Sequence, residues 1–162
     1  MDAKNSSYGN LRQVELKGEV DRCAEKIRTF GFAVMLNMVS ESALENYRRK
    51  IDETCRKQEE ELGRDYLQEI NELNIARALL VYDDYFLNLI TIKTIQKIVE
   101  LHLGEYFILN LQNAIINHPN QERHQYAWHR DLPYQNFVIS CPLAINVFFL
   151  SMNFLRKPRP PT

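Results

Sequence analysis

Apolar residues recur at helical spacing through the first two-thirds of the chain, and the pattern changes to strand-like runs after Gly104. Residues 1–17 are polar and read as a loose N-terminal segment. Val20, Cys23, Ala24 and Ile27 share one face of a helix expected over residues 18–30, and Gly31 suits its C-terminal end. Phe32-Ala-Val-Met-Leu36 follows as a short buried strand. Ser40 or Ser42 can cap the next helix, Ser42 pairing with Glu45 as a capping box. Leu44, Tyr47, Ile51, Cys55 and Leu62 then form an apolar stripe up to Gly63, and the opposite face carries Arg48-Arg49-Lys50 and a second charged run as a solvated surface. A helix is expected over residues 66–80, a turn at Asp83-Asp84, and another helix over 87–102 ended by Gly104. Residues 106–117 are β-branched and aromatic, 124–132 read as a strand, and 143–150 are apolar enough for a strand buried on both faces. Helices followed by antiparallel-looking strands define an α+β class.

Composition narrows the possibilities. The 162 residues carry a net charge of −1, with 45 % hydrophobic and 25 % charged residues. A general nucleic-acid binder would show a basic excess, so no nucleic-acid partner is expected. No apolar run approaches the ~20 residues of a membrane span and no signal peptide opens the chain, so no membrane partner is expected. Cys23, Cys55 and Cys141 read as reduced thiols of a cytoplasmic protein. The five glycines all lie at or before Gly104, although turns of the β-rich half ordinarily want them. The chain closes on Leu-Arg-Lys-Pro-Arg-Pro-Pro-Thr162, too proline-rich for a central strand.

The chemistry-bearing segment is Gln125-Tyr-Ala-Trp-His-Arg-Asp-Leu-Pro-Tyr-Gln135. On a strand, residues i and i+2 share a face, so His129 and Asp131 project together. An imidazole nitrogen and a carboxylate oxygen are two of the three ligands of the 2-His-1-carboxylate triad, which holds Fe(II) with open coordination positions. His-x-Asp alone reads first as a surface or turn pair. Residues 129–136 also match the kinase catalytic-loop pattern, but no Gly-rich phosphate loop and no later Asp accompany them. A hydrolase using the same pair lacks a convincing nucleophile, since Ser140 and Cys141 have no Gly loop beside them.

Four segments in order carry a resemblance. Residues 31–44, Gly-Phe-Ala-Val-Met-Leu-Asn-Met-Val-Ser-Glu-Ser-Ala-Leu, resemble the strand, turn and amphipathic helix that begin the phytanoyl-CoA dioxygenase family. Residues 103–119 resemble its strand pair before the metal motif, 125–135 its metal-binding segment, and 142–150 the strand after it. The resemblance covers about residues 18–154. It implies an Fe(II)- and 2-oxoglutarate-dependent oxygenase acting on a small-molecule substrate. The implied fold is a set of N-terminal helices packed on an incomplete double-stranded β-helix (a jelly roll, cupin-like). His129 and Asp131 would be the first two iron ligands. Gln112 and Arg130 lie near cosubstrate positions, although Gln112 serves equally to satisfy strand backbone and Arg130 alternates away from the His129–Asp131 face.

The family's later Pro-Gly-Ser-His, whose histidine is the third iron ligand, has no counterpart here, nor does the cation that binds the far carboxylate of 2-oxoglutarate. The expectation is a partial domain over residues 18–154, C-terminally truncated or frame-shifted, followed by an aberrant tail at 155–162. His102, His118 and His124 are poor substitutes for the third ligand by position. A weakly active or inactive oxygenase is expected, with a non-catalytic binding or regulatory remnant as the alternative. Strand edges left exposed would favour self-association.

Overall fold

The computed structural model describes residues 18–117 and 141–151. Helix α1 (Glu19–Phe30) ends at Gly31, whose φ of 80° is the left-handed conformation that lets its N–H reach the Ile27 carbonyl at 2.9 Å. Helix α2 (Glu41–Leu62) is capped by Ser40, whose Oγ accepts from the Ala43 N–H at 3.3 Å. Ser42, the other candidate cap, lies inside the helix with its Oγ 3.2 Å from that of Ser40. Gly63, at φ 86°, ends α2 and turns the chain directly into α3 (Arg64–Glu69).

The helix expected over residues 66–80 is broken. Asn71 and Asn74 adopt φ of 58° and 66°, a region asparagine tolerates better than other residues with a side chain. The chain then forms strand β1 (Ile75–Ala76) and a short helix α4 (Leu79–Tyr82). A single 3-10 turn (Asp84–Phe86) leads into α5 (Leu87–Ile90). The helix expected over 87–102 is divided at Thr91, whose hydroxyl donates to the Leu87 carbonyl at 2.9 Å. Helix α6 (Lys93–Leu103) follows and ends at Gly104.

Strand β2 (Ala114–Ile115) pairs antiparallel with β1, in register Ile75 opposite Ile115 and Ala76 opposite Ala114. Among the described residues this is the only sheet. The strand expected at residues 32–36 has no ladder partner there, although its exposure alternates residue by residue. The run over 106–117 is paired only at β2, and 143–150 is neither strand nor buried, with Phe148 80 % exposed. A strand needs a neighbour for its N–H and C=O groups, and outside β2 these segments form no ladder among the described residues.

The core is compact and local. Phe86 is fully buried among Tyr47 of α2, Ala76 of β1 and Leu79 of α4. Tyr47 stacks obliquely on Tyr85, with ring centroids 4.8 Å apart. Ile51 and Cys55 of the expected stripe pack against this cluster, whereas Leu62 is exposed. Helix α1 packs on α6, burying Cys23, Ala24 and Ile98.

Candidate functional site

Of the expected site residues, only Gln112 falls within the described structure; His129, Arg130 and Asp131 lie outside it, as do His118, His124 and Ser140. Gln112 is held by main chain on two sides. Its carbonyl accepts from the Leu79 N–H at 3.1 Å, and its side-chain Nε2 donates to the Phe86 carbonyl at 3.0 Å. Its Oε1 is buried with no hydrogen-bond partner among the described residues. The Phe86 carbonyl fixes the amide orientation, because the flipped amide would set two acceptors face to face. The open valence at Oε1 suits a donor such as a hydroxyl or N–H. A carboxylate would have to use the second hydrogen of Nε2.

The residue next to Gln112 ties the same strand to the α4 turn. Asn113 Oδ1 accepts from the N–H of Ala78 at 3.2 Å, a residue with φ of 50°. On the other side, Gln58 of α2 forms a double bridge to Arg77. Its Nε2 donates to the Arg77 carbonyl at 2.7 Å, and its Oε1 accepts the Arg77 N–H at 3.1 Å. One amide side chain thus stands in for a strand neighbour. Gln58 is buried, as is Thr54, whose hydroxyl returns to the Lys50 carbonyl at 2.8 Å. Neither was legible as core, because a glutamine in a charged run reads as surface.

A hollow of about 2000 Å³ forms an open trough beside α6. Its lining includes Phe32, Val34, Leu36 and Phe148, with Ile95 and Val99 of α6. Small-molecule pockets run to about 300–1,000 Å³, so this trough is on the scale of a chain segment. His102 lines it. The His102 Nδ1–H donates to the Ile98 carbonyl at 2.8 Å, and Nε2 is buried with no hydrogen-bond partner among the described residues. A carbonyl only accepts, so Nδ1 carries the proton and the free nitrogen offers a lone pair when the ring is neutral.

The ionisable groups nearby serve structure. Burial, reinforced by Asp52 and Glu59, pushes the Cys55 thiol up to about 11, and burial with Glu19 beside it raises that of Cys23. Both thiols are thereby poor nucleophiles. The Lys50 ammonium hydrogen-bonds Asp83, which together with the Tyr85 N–H holds that carboxyl below its ordinary value. The same ammonium lies 5.1 Å from the Tyr85 ring centroid. The Arg48 guanidinium clasps the Ser151 carbonyl, with Nε at 2.8 Å, fastening 151 to α2. Among the described residues no group of three His, Cys, Asp or Glu is placed to hold a metal ion. No helix among them is long and apolar enough to cross a membrane.

Comparison with known proteins gives relatives without an assigned role. The chain is 28 % identical over 150 residues to an uncharacterized protein of Mycobacterium bovis and, at the same identity and length, to one of Mycobacterium tuberculosis. The match takes in 89 % of this chain and 54 % of each relative, so the chain spans about half the length of the curated relatives it matches. No family model matches, and no solved structure matches.

Proposed function

We propose that the chain is a portion of an Fe(II)- and 2-oxoglutarate-dependent oxygenase resembling the phytanoyl-CoA dioxygenases, working in the cytoplasm on a small-molecule substrate. The observation that carries the reading is His129-x-Asp131, set between segments that follow in the order the resemblance requires. The succession of α1, residues 32–36 and α2, and the later appearance of β2 just ahead of the His-x-Asp segment, agree with that order. The strand-like segments left unpaired among the described residues would belong to the incomplete jelly roll that the resemblance implies.

In this reading the His129 imidazole and the Asp131 carboxylate hold the metal, and Arg130 and Gln112 lie toward the cosubstrate. Iron with 2-oxoglutarate supplies the oxidising power for C–H hydroxylation. The protein's share is orientation and exclusion of water. Gln112 is suited to orientation because its amide is fixed by Phe86. With two ligands and no cation for the far carboxylate, the 162 residues are expected to bind iron weakly and to turn over little or not at all.

The test is anaerobic titration of the protein with Fe(II) and 2-oxoglutarate, followed in visible absorption, with succinate release measured after air is admitted. The Mycobacterium tuberculosis relative is assayed alongside. A charge-transfer band that His129→Ala abolishes, together with succinate from the longer relative, is the expected result. Absence of both signals from both proteins would overturn the oxygenase reading. A second reading, a non-catalytic binding protein, is favoured by the open apolar trough along α6. It predicts no band and no succinate here while the relative remains active.

A further inference from the structure

Gln112 supplies the one side-chain atom in a closed ring of hydrogen bonds that otherwise runs through main chain. Its carbonyl accepts from the Leu79 N–H at 3.1 Å, and the Leu79 carbonyl accepts from the Asp83 N–H at 3.1 Å. The Asp83 carbonyl accepts from the Phe86 N–H at 3.3 Å, and the Phe86 carbonyl accepts from Gln112 Nε2 at 3.0 Å. Each residue of the ring donates once and accepts once, so every bond polarises the next. Both anchors of Gln112, Leu79 and Phe86, are therefore one hydrogen bond away from Asp83.

Asp83 is the corner of that ring. It joins α4 to the 3-10 turn with extended backbone, φ −160° and ψ 122°. Its side chain holds the corner through both oxygens: Oδ1 accepts from the Tyr85 N–H at 2.8 Å, and Oδ2 accepts from the Lys50 ammonium. Lys50 is steadied in turn, since its ammonium lies 5.1 Å from the centroid of the Tyr85 ring, which stacks on Tyr47 one turn earlier on α2. The buried Phe86 ring fixes where that residue sits, but the direction of its carbonyl is left to the turn that Asp83 caps.

We propose that Asp83, held by Lys50, is a positioning residue for the Gln112 amide. One Nε2 hydrogen is spent on the Phe86 carbonyl, and the amide is planar, so the second hydrogen points in a fixed direction. In the oxygenase reading, on which this last step rests, that hydrogen is what Gln112 offers to a carboxylate of the cosubstrate.

Nitrogen-15 NMR of the full chain tests the positioning, with the Gln112 side-chain amide identified by its absence in Gln112→Met. Exchange of that amide with water should be slower than at exposed glutamines, and Asp83→Ala and Lys50→Met should each speed it by about three- to tenfold. Ser40→Ala, which loosens the same helix by removing its cap, should leave the rate unchanged. In the Fe(II) titration the same two variants should weaken 2-oxoglutarate binding by a similar factor without changing iron binding. Fast exchange in the wild type would overturn the proposal, as would an amide untouched by Asp83→Ala or one loosened equally by Ser40→Ala. No charge-transfer band in the wild type would overturn the oxygenase reading and the cosubstrate role with it, while the exchange rates decide the positioning by themselves.

Discussion

The cluster around Phe86 and the strip at residues 106–111 are both aromatic and aliphatic, yet one is buried and the other faces water. The difference is backbone satisfaction. Around Phe86 every neighbouring turn has a partner: Gln58 bridges Arg77, Asn113 holds Ala78, and Gln112 holds the Phe86 carbonyl. Along 106–111 no described group plays that part. Hydrophobic composition supplies the tendency to bury, but a segment settles only where its N–H and C=O groups are also met.

The comparison breaks most severely at Phe86. Phe86→Ala should cost about 3–5 kcal/mol, because a fully buried ring is replaced by a cavity, whereas Ile108→Ala should change the stability of a single chain by less than about 0.5 kcal/mol. Urea unfolding of the two variants measures both; equal losses would mean the strip is part of the core. Next in size is Gln58→Ala, which leaves the Arg77 N–H and C=O without their partner and should cost about 2 kcal/mol by the same measurement. Replacement by leucine should recover none of the hydrogen bonding. Loss of the α2 cap in Ser40→Ala should cost about 1 kcal/mol, read as a lower midpoint of thermal unfolding.

The smallest effect is expected at Asp83, on the rim of the packed region. Its carboxyl is held low by Lys50 and the Tyr85 N–H, so the ionised form is the one that stabilises. The contribution is present at neutral pH and disappears as the pH falls through the lowered folded value, below the ordinary ~3.9 of an aspartate. Thermal midpoints of wild type and Asp83→Asn should therefore differ slightly at pH 7 and converge in acid. A gap that widens in acid would reverse the assignment.

Much of the helical half was legible in the residues. The α1 face, the Gly31 end and the length of α2 follow from local periodicity and capping, which act over a turn or two. The break at residues 71–78 was not, because the segment is held by Gln58 on Arg77, Asn113 on Ala78 and β2 on β1, all remote in sequence or on another element. The candidate site was legible only as His129-x-Asp131, a spacing that names a chemistry without placing a third ligand. Gln112 was recognised as a strand residue with two possible uses. Its Nε2 donates to the Phe86 carbonyl, and its Oε1 is a buried acceptor.

The sequence by itself determined the extents of α1 and α2, the apolar face of α1, and that the region after Gly104 is rich in strand formers. These are short-range preferences of side chains and caps, set by neighbours within a few residues. Only the tertiary structure decided which apolar runs are core. Tyr47, Leu79 and Phe86 converge because α2, α4 and the 3-10 turn meet, while residues 32–36 and 106–111, equally apolar, stay largely exposed. Burial requires a facing surface and a partner for each backbone dipole, and both are properties of how distant parts of the chain come together.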